Sequence, residues 1–141
     1  MGQLDLFKEK FKVEKFMIYE SNYWTWSLRP QQPTLGSGVL ALKRYAEAFA
    51  DITPDEGKDL SEIIKVIESR LRVKFEYEKI NYLMLMMVDS HLHFHIIPRY
   101  SKVIELEGIK WEDKGWPGLP SLDADDISDD KMNKILLFLK K

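Results

Sequence analysis

Cysteine is missing from all 141 residues. That excludes a disulfide framework, a thiolate zinc site and a cysteine nucleophile. Long hydrophobic runs are missing too. The longest unbroken apolar stretch, Tyr82 to Val88, is seven residues, against the roughly 20 a membrane-spanning helix needs. Neither sign of charge dominates, because 21 basic residues face 23 acidic ones for a net charge of −2. The broad basic footprint of a protein that grips polymeric nucleic acid is therefore absent. The first ten residues, MGQLDLFKEK, mix charges and hold no apolar core of a secretory signal, so the expected location is cytoplasmic, with no membrane partner. Histidine is scarce as well: there are three, and all fall between positions 91 and 95.

The 45% hydrophobic and 31% charged composition is that of a globular protein. No repeat or long linker divides it, so one domain over residues 1–141 is expected, with its core at about 15–101 and an extension at 102–141. Leu4, Phe7 and Phe11 mark a weak N-terminal helix with Lys8, Glu9, Lys10 and Lys12 toward water. Lys15–Glu20 and Tyr23–Leu28 are aromatic and β-branched on either side of Ser21-Asn22, which predicts an antiparallel hairpin. Pro30 and Pro33 make Arg29–Leu35 a loop, and Val39–Leu42 reads as the next strand. Over Pro54–Val73 a long helix is predicted. Thr53 and Glu56 form a capping box, Pro54 suits the first helical position, and Leu60, Ile63, Ile64, Ile67 and Leu71 draw one apolar stripe. Two further strands follow, Ile80–Val88 and Leu92–Ile97, the second ended by Pro98. Trp111–Pro120 reads as a Gly/Pro-broken loop. Ser128 then caps a short C-terminal helix whose Ile135, Leu136 and Leu139 face the body. Strands around one long helix, without βαβ alternation, define an α+β fold with a mainly antiparallel sheet.

The segment His91-Leu92-His93-Phe94-His95-Ile96-Ile97-Pro98-Arg99 carries the chemistry. Side chains alternate faces along a strand, so the three histidines share one face and Leu92, Phe94 and Ile96 share the other. The apolar face is expected against the long helix. Three readings fit this pattern. The histidines form a satisfied polar face, or two of them hold a metal with a carboxylate such as Asp89, or they perform nucleophilic catalysis. All three on one ion is difficult, because residues i and i+4 of a strand lie about 13 Å apart while zinc wants ligands at about 2 Å. A neutral imidazole attacks phosphorus well and leaves well once cationic, and neighbouring imidazoles can hold its tautomer and stabilise developing charge. The middle one, His93, has a partner on either side.

H-L-H-F-H-I-I resembles the His-φ-His-φ-His-φ-φ signature of the histidine triad (HIT) superfamily, with Leu92, Phe94, Ile96 and Ile97 at the apolar positions. Pro98-Arg99 after it, the Gly36–Tyr45 segment GSGVLALKRY and the Phe49–Glu56 approach to the helix extend the similarity over about Lys15 to Ser101. The resemblance implies an α+β fold built on a five-stranded antiparallel sheet, often dimeric through the sheet, to which the long helix and the short terminal helices read above are added. It implies a nucleotide hydrolase or nucleotidyltransferase acting at an α-phosphate through a nucleotidyl-histidine intermediate, on a dinucleoside polyphosphate-like anhydride or a phosphoramidate. In that scheme His93 is the nucleophile, His91 and His95 support it, and neither metal nor cofactor is needed. The partner is then a nucleotide or dinucleotide, with the chain itself a homodimer. Ser37, Lys43, Ser90 and Arg99 are the candidate substrate contacts. The chain departs from the family pattern where Met86 and Met87 replace a Gly-Gln pair, where Tyr45 and Ser37 replace frequent histidines, and near Trp26-Ser27-Leu28, which lacks the usual ribose-reading acid. Those departures motivate a second reading, a catalytically weak module that binds nucleotides or a protein.

Other features have bland and functional readings side by side. Met84, Met86 and Met87 suit adaptable core filling. Trp24 and Trp26 suit core or dimer packing, or stacking on a base, and Trp111 and Trp116 suit a staple for the tail or a cover for a base. Asp123–Asp130 suits a solvated turn at a helix N-terminus.

Overall fold

A computed structural model describes residues 2–141. The chain runs α1 (Gln3–Lys10), β1 (Met17–Glu20), β2 (Trp24–Leu28), β3 (Gly38–Leu42), α2 (Pro54–Phe75), β4 (Lys79–Leu83), β5 (His93–Arg99), β6 (Ile104–Leu106), β7 (Ile109–Trp111) and α3 (Asp129–Lys140). Strands β1 to β5 form an antiparallel sheet in the order β1-β2-β3-β5-β4, and β6 and β7 form a separate hairpin. This is the α+β arrangement the sequence predicts. No helix among the described residues is long and apolar enough to cross a membrane.

Helix α2 starts where its capping box places it. Thr53 accepts from the Glu56 N–H at 3.2 Å, and the Glu56 carboxylate accepts from the Thr53 N–H at 2.8 Å. Each bond satisfies a backbone donor that the first helical turn leaves free. Its stripe Ile63, Ile67 and Leu71 packs on one sheet face with Trp24, Trp26, Leu40, Leu92 and Ile96. Both tryptophans are thus core residues, and the Trp24 indole N–H donates to the Glu56 carbonyl at 2.9 Å. Helix α3 joins this core through Met132, Ile135, Leu136 and Leu139. Before β3, Gly36 turns the chain at φ 90°, where a Cβ would be strained and would press on Leu71 and Phe75.

Four expectations need correction. The fourth strand stops at Leu83, because the β4–β5 register ends at Leu83↔His95 and Met86 turns into left-handed backbone at φ 49°. Met84 and Met86 still touch the core, whereas Met87 is exposed in the β4–β5 connection and fills nothing. Pro98 does not end the fifth strand, which runs on to Arg99. The Arg99 carbonyl accepts from the Glu78 N–H at 3.0 Å, so the preceding Pro98 nitrogen faces the opposite, β3 side. There β3 has already finished at Gly38↔Ile96, and no ladder bond is lost. His91 precedes the strand rather than belonging to it, for a reason that lies in its ring.

Candidate functional site

The three histidines lie on the side away from α2, His93 and His95 by strand alternation and His91 just before the strand, and the N-terminal segment covers them. Phe7 of α1 and Phe11, just past its end, lie against the imidazoles. Phe7 lies 4.9 Å from both the His91 and His93 rings, and Phe11 lies 5.8 Å from both the His93 and His95 rings, centroid to centroid. With Val13, Val39 and Ala41 these phenylalanines make a second, smaller apolar cluster on this face. His93 is only 1% exposed. The weak periodicity of residues 4–13 hid this role, since a helix of eight residues gives little signal and Phe11 lies just past its end.

Each imidazole has a different hydrogen-bonding fate. The His91 Nε2 lies 2.8 Å from the Leu42 carbonyl, and its Nδ1 lies 3.4 Å from the Ala46 N–H. A carbonyl only accepts and an N–H only donates, so the ring is neutral with its proton on Nε2. Both ring nitrogens serve the backbone, and the anchoring takes His91 out of the regular strand. Tyr45, the residue standing where a fourth histidine was looked for, stacks on this ring at 5.4 Å. The His93 Nδ1 is 2.5 Å from the His91 carbonyl oxygen. By the same logic Nδ1 carries the proton, which puts the lone pair on Nε2. His95 sits edge-on to His93 at 5.0 Å, and its buried Nδ1 has no partner among the described residues. Burial lowers all three pKa values below the usual imidazole range, that of His95 to about 4 with help from His93 and Arg29.

His93 and His95 line a cleft of ≈ 760 Å³, a size suited to a small organic ligand. Phe11 and Phe16 form one wall, Leu85–Asp89 another, and Arg29, Pro30 and Gln31 a third. The extension closes it with Asp126, Ile127, Asp129 and Met132. Lys10 reaches from the end of α1 to Asp89 at 2.8 Å and ties two of these walls together. Asp89 is therefore engaged with a lysine, and among the described residues no three His, Cys, Asp or Glu side chains converge as metal ligands.

The other residues singled out from sequence are placed unevenly. The buried Ser37 donates its hydroxyl to the Thr34 carbonyl at 2.8 Å and does not line the cleft. Lys43 pairs loosely with Glu20 at 3.4 Å and borders a separate cavity of ≈ 400 Å³ reaching His91 and Phe7. Ser90 is exposed just outside the cleft lining. Arg99 is buried and clasps Asp113 through Nε at 2.5 Å and Nη2 at 3.0 Å, with Asn81 at 2.7 Å and the Gly118 carbonyl at 2.9 Å. It holds the extension to the sheet. Trp111 acts likewise, donating to the Gln32 carbonyl at 3.0 Å as a staple for the tail. The residue that sequence reasoning passed over is Arg29, hidden in a proline-flanked loop that carries no periodic signal.

Comparison with known proteins agrees with this geometry. The family model of the HIT domain matches residues 10–102. No curated protein matches. Among solved structures, a hypothetical histidine triad nucleotide-binding protein from Sulfolobus tokodaii is similar at 15% identity and a TM-score of 0.67, over 98% of this chain and 88% of that one. A histidine triad protein from Sinorhizobium meliloti is similar at 20% identity and a TM-score of 0.68, over 91% and 90%. The C. elegans NitFhit protein is similar at 17% identity and a TM-score of 0.64, over 89% of this chain, which spans only 26% of that larger one. At these identities the likeness is one of fold. With the His-φ-His-φ-His-φ-φ face and the domain match covering most of its length, the chain belongs to the HIT family.

Proposed function

We propose that the chain is a nucleotide hydrolase or nucleotidyltransferase whose nucleophile is Nε2 of His93. The observation that carries this reading is the His93 Nδ1–H bond to the His91 carbonyl. It assigns the proton to one ring nitrogen and the lone pair to the other, beside a cleft large enough for a nucleotide.

The Nε2 lone pair forms a bond to the α-phosphorus as the bond from phosphorus to the leaving group breaks. The leaving group departs with the electron pair and takes up a proton. His93 is then cationic, and its Nδ1–H bond to His91 strengthens because the donor is charged. Water, or another acceptor hydroxyl, attacks the phosphorus from the opposite side. The N–P bond breaks, its electrons return to Nε2, and the acceptor releases a proton. His91, anchored to Leu42 and Ala46, is a positioning residue. His95 has a ring nitrogen available for a phosphoryl oxygen.

A dinucleoside polyphosphate or a nucleoside phosphoramidate supplies the required phosphorus with a good leaving group. Turnover of a panel of these compounds by the wild-type protein and by His93→Ala tests the reading. The expected result is turnover of at least one compound by the wild type and none by the variant, with unfolding temperatures alike. The burial of His93 under Phe7 and Phe11 favours a second reading, a module that binds nucleotide without transferring it. Binding of the panel by the wild type with no turnover of any compound selects that second reading.

A further inference from the structure

Two arginines of this chain show what a settled guanidinium looks like. Arg44 grips the Glu56 carboxylate with Nε at 2.6 Å and Nη2 at 2.8 Å. Arg99 grips Asp113 with the same two nitrogens at 2.5 and 3.0 Å. In each case the edge bearing Nε–H and Nη2–H meets two oxygens of one anion, the bidentate geometry that suits carboxylate and phosphate alike. Arg29 is held differently. Its bonds run through Nη1, to the carbonyls of Gln31 at 3.2 Å and Leu122 at 3.1 Å. Its Nε is buried with no partner among the described residues, and no carboxylate lies within ion-pairing distance of the side chain. Arg29 is half-buried, and the carboxylate whose charge acts on it, Asp123, stands beyond ion-pairing distance, so its Nε/Nη2 edge is left open to an anion that a ligand can supply.

We infer that Arg29 is the phosphate-binding residue of the cleft, its Nε/Nη2 edge receiving two oxygens of the nucleotide phosphate beside the His95 ring. The inference rests on the nucleotide reading above and names the residue that gives the site its anion selectivity. Position supports it. Ser27 pairs with Val39 and Val39 pairs with His95, so β2, β3 and β5 set these three in one row across the sheet. Arg29 follows two residues after Ser27 on the same face, and its N–H is held by the Ser37 carbonyl at 2.9 Å. Arg29 and His95 line the same cleft, and each carries a buried ring or guanidinium nitrogen without a partner. The other cations there are engaged or solvated. Lys10 is tied to Asp89, and Lys12 is exposed over the Phe16 ring. Leu85, Met86, Met87 and Val88 on the facing wall offer no side-chain donor. On the extension side Asp129 is paired with Lys15 at 2.6 Å, and Asp126 adds a negative charge that disfavours an anion there.

Calorimetric titration of the full chain with AMP against adenosine, and GMP against guanosine, tests this. In wild type, one monophosphate binds more tightly than its nucleoside. Arg29→Gln is expected to weaken the monophosphate by about tenfold to a hundredfold while leaving the nucleoside unchanged, and Arg29→Lys to recover part of the loss. An unchanged ratio of monophosphate to nucleoside affinity in Arg29→Gln overturns the inference. Equal weakening of both ligands overturns it too, because that is the mark of a role confined to holding Leu122. Absence of any monophosphate binding by the wild type overturns the nucleotide reading itself, a distinct result.

Discussion

The Nδ1 of His93 donates to the main-chain carbonyl of His91, two residues back, across 2.5 Å. The residue that supplies this acceptor is itself immobilised, since its imidazole bonds the backbone of Leu42 and Ala46. Two members of the triad are thus joined by one chain of hydrogen bonds, and the proposed mechanism has His91 act through His93. His91→Ala removes the partners of a buried carbonyl and a buried N–H, and is expected to cost about 2–4 kcal/mol in urea unfolding. Turnover should show a fall in kcat larger than the change in KM, because the ring is displaced while the cleft walls stay. Unaltered kcat would remove His91 from the mechanism.

Acid should destabilise the protein earlier than its carboxylates alone require. Burial holds His95 at about 4, against an ordinary imidazole value of about 6.5. Between those values the unfolded chain binds a proton that the folded chain does not. Stability therefore rises with pH from about 4 to about 6.5 and is flat above, the difference being about 3 kcal/mol. His91 and His93, lowered by burial as well, act in the same direction. The Glu56 carboxyl, held at about 2 chiefly by its bond to Arg44, loses its contribution as pH falls from about 4.5 to about 2, below the window in which His95 acts. Thermal unfolding followed from pH 7 to pH 5 should show a falling midpoint, with a shallower fall in His95→Asn.

Phe7 couples the stability of the N-terminal helix to the chemistry of the triad. It is 4% exposed and touches two of the three imidazoles. Phe7→Ala is expected to destabilise by about 3 kcal/mol and to admit water to His93. Relief of desolvation should raise the His93 pKa toward the ordinary value, which an NMR titration of its ring resonances reads directly. A titration identical to wild type would show that Phe7 does not set the environment of His93.

The Arg99–Asp113 pair assigns Arg99 to architecture. Both side chains are at most 5% exposed. Asp113→Ala leaves the guanidinium buried and uncompensated, at a cost of about 3–5 kcal/mol. Arg99→Ala should likewise lower the unfolding midpoint while nucleotide affinity per folded molecule stays constant. Specific loss of nucleotide binding with normal stability would return Arg99 to the site.

The sequence is legible where a pattern has one geometric solution. Alternation from His93 to Ile96 assigns both faces of β5, and the box of Thr53 and Glu56 locates the start of α2. It is illegible where tertiary partners decide. Met84 to Val88 looks like more strand until the β4 register runs out at Leu83. Pro98 looks like a terminator until its nitrogen is seen to face a side where β3 has ended. The hairpin of β6 and β7 rests on two three-residue strands, too short for a periodic signal. Arg29 and Arg99 are alike in sequence as basic residues beside a proline. Only the carboxylate that meets one and not the other separates their roles.

Intact-mass spectrometry of acid-quenched protein, mixed for milliseconds with a turned-over dinucleoside polyphosphate, addresses the nucleophile most directly. The account predicts an added nucleoside monophosphate on the wild type, mapped by peptide sequencing to His93 and absent from His93→Ala. Turnover without any such adduct, or an adduct that persists in His93→Ala, would contradict it.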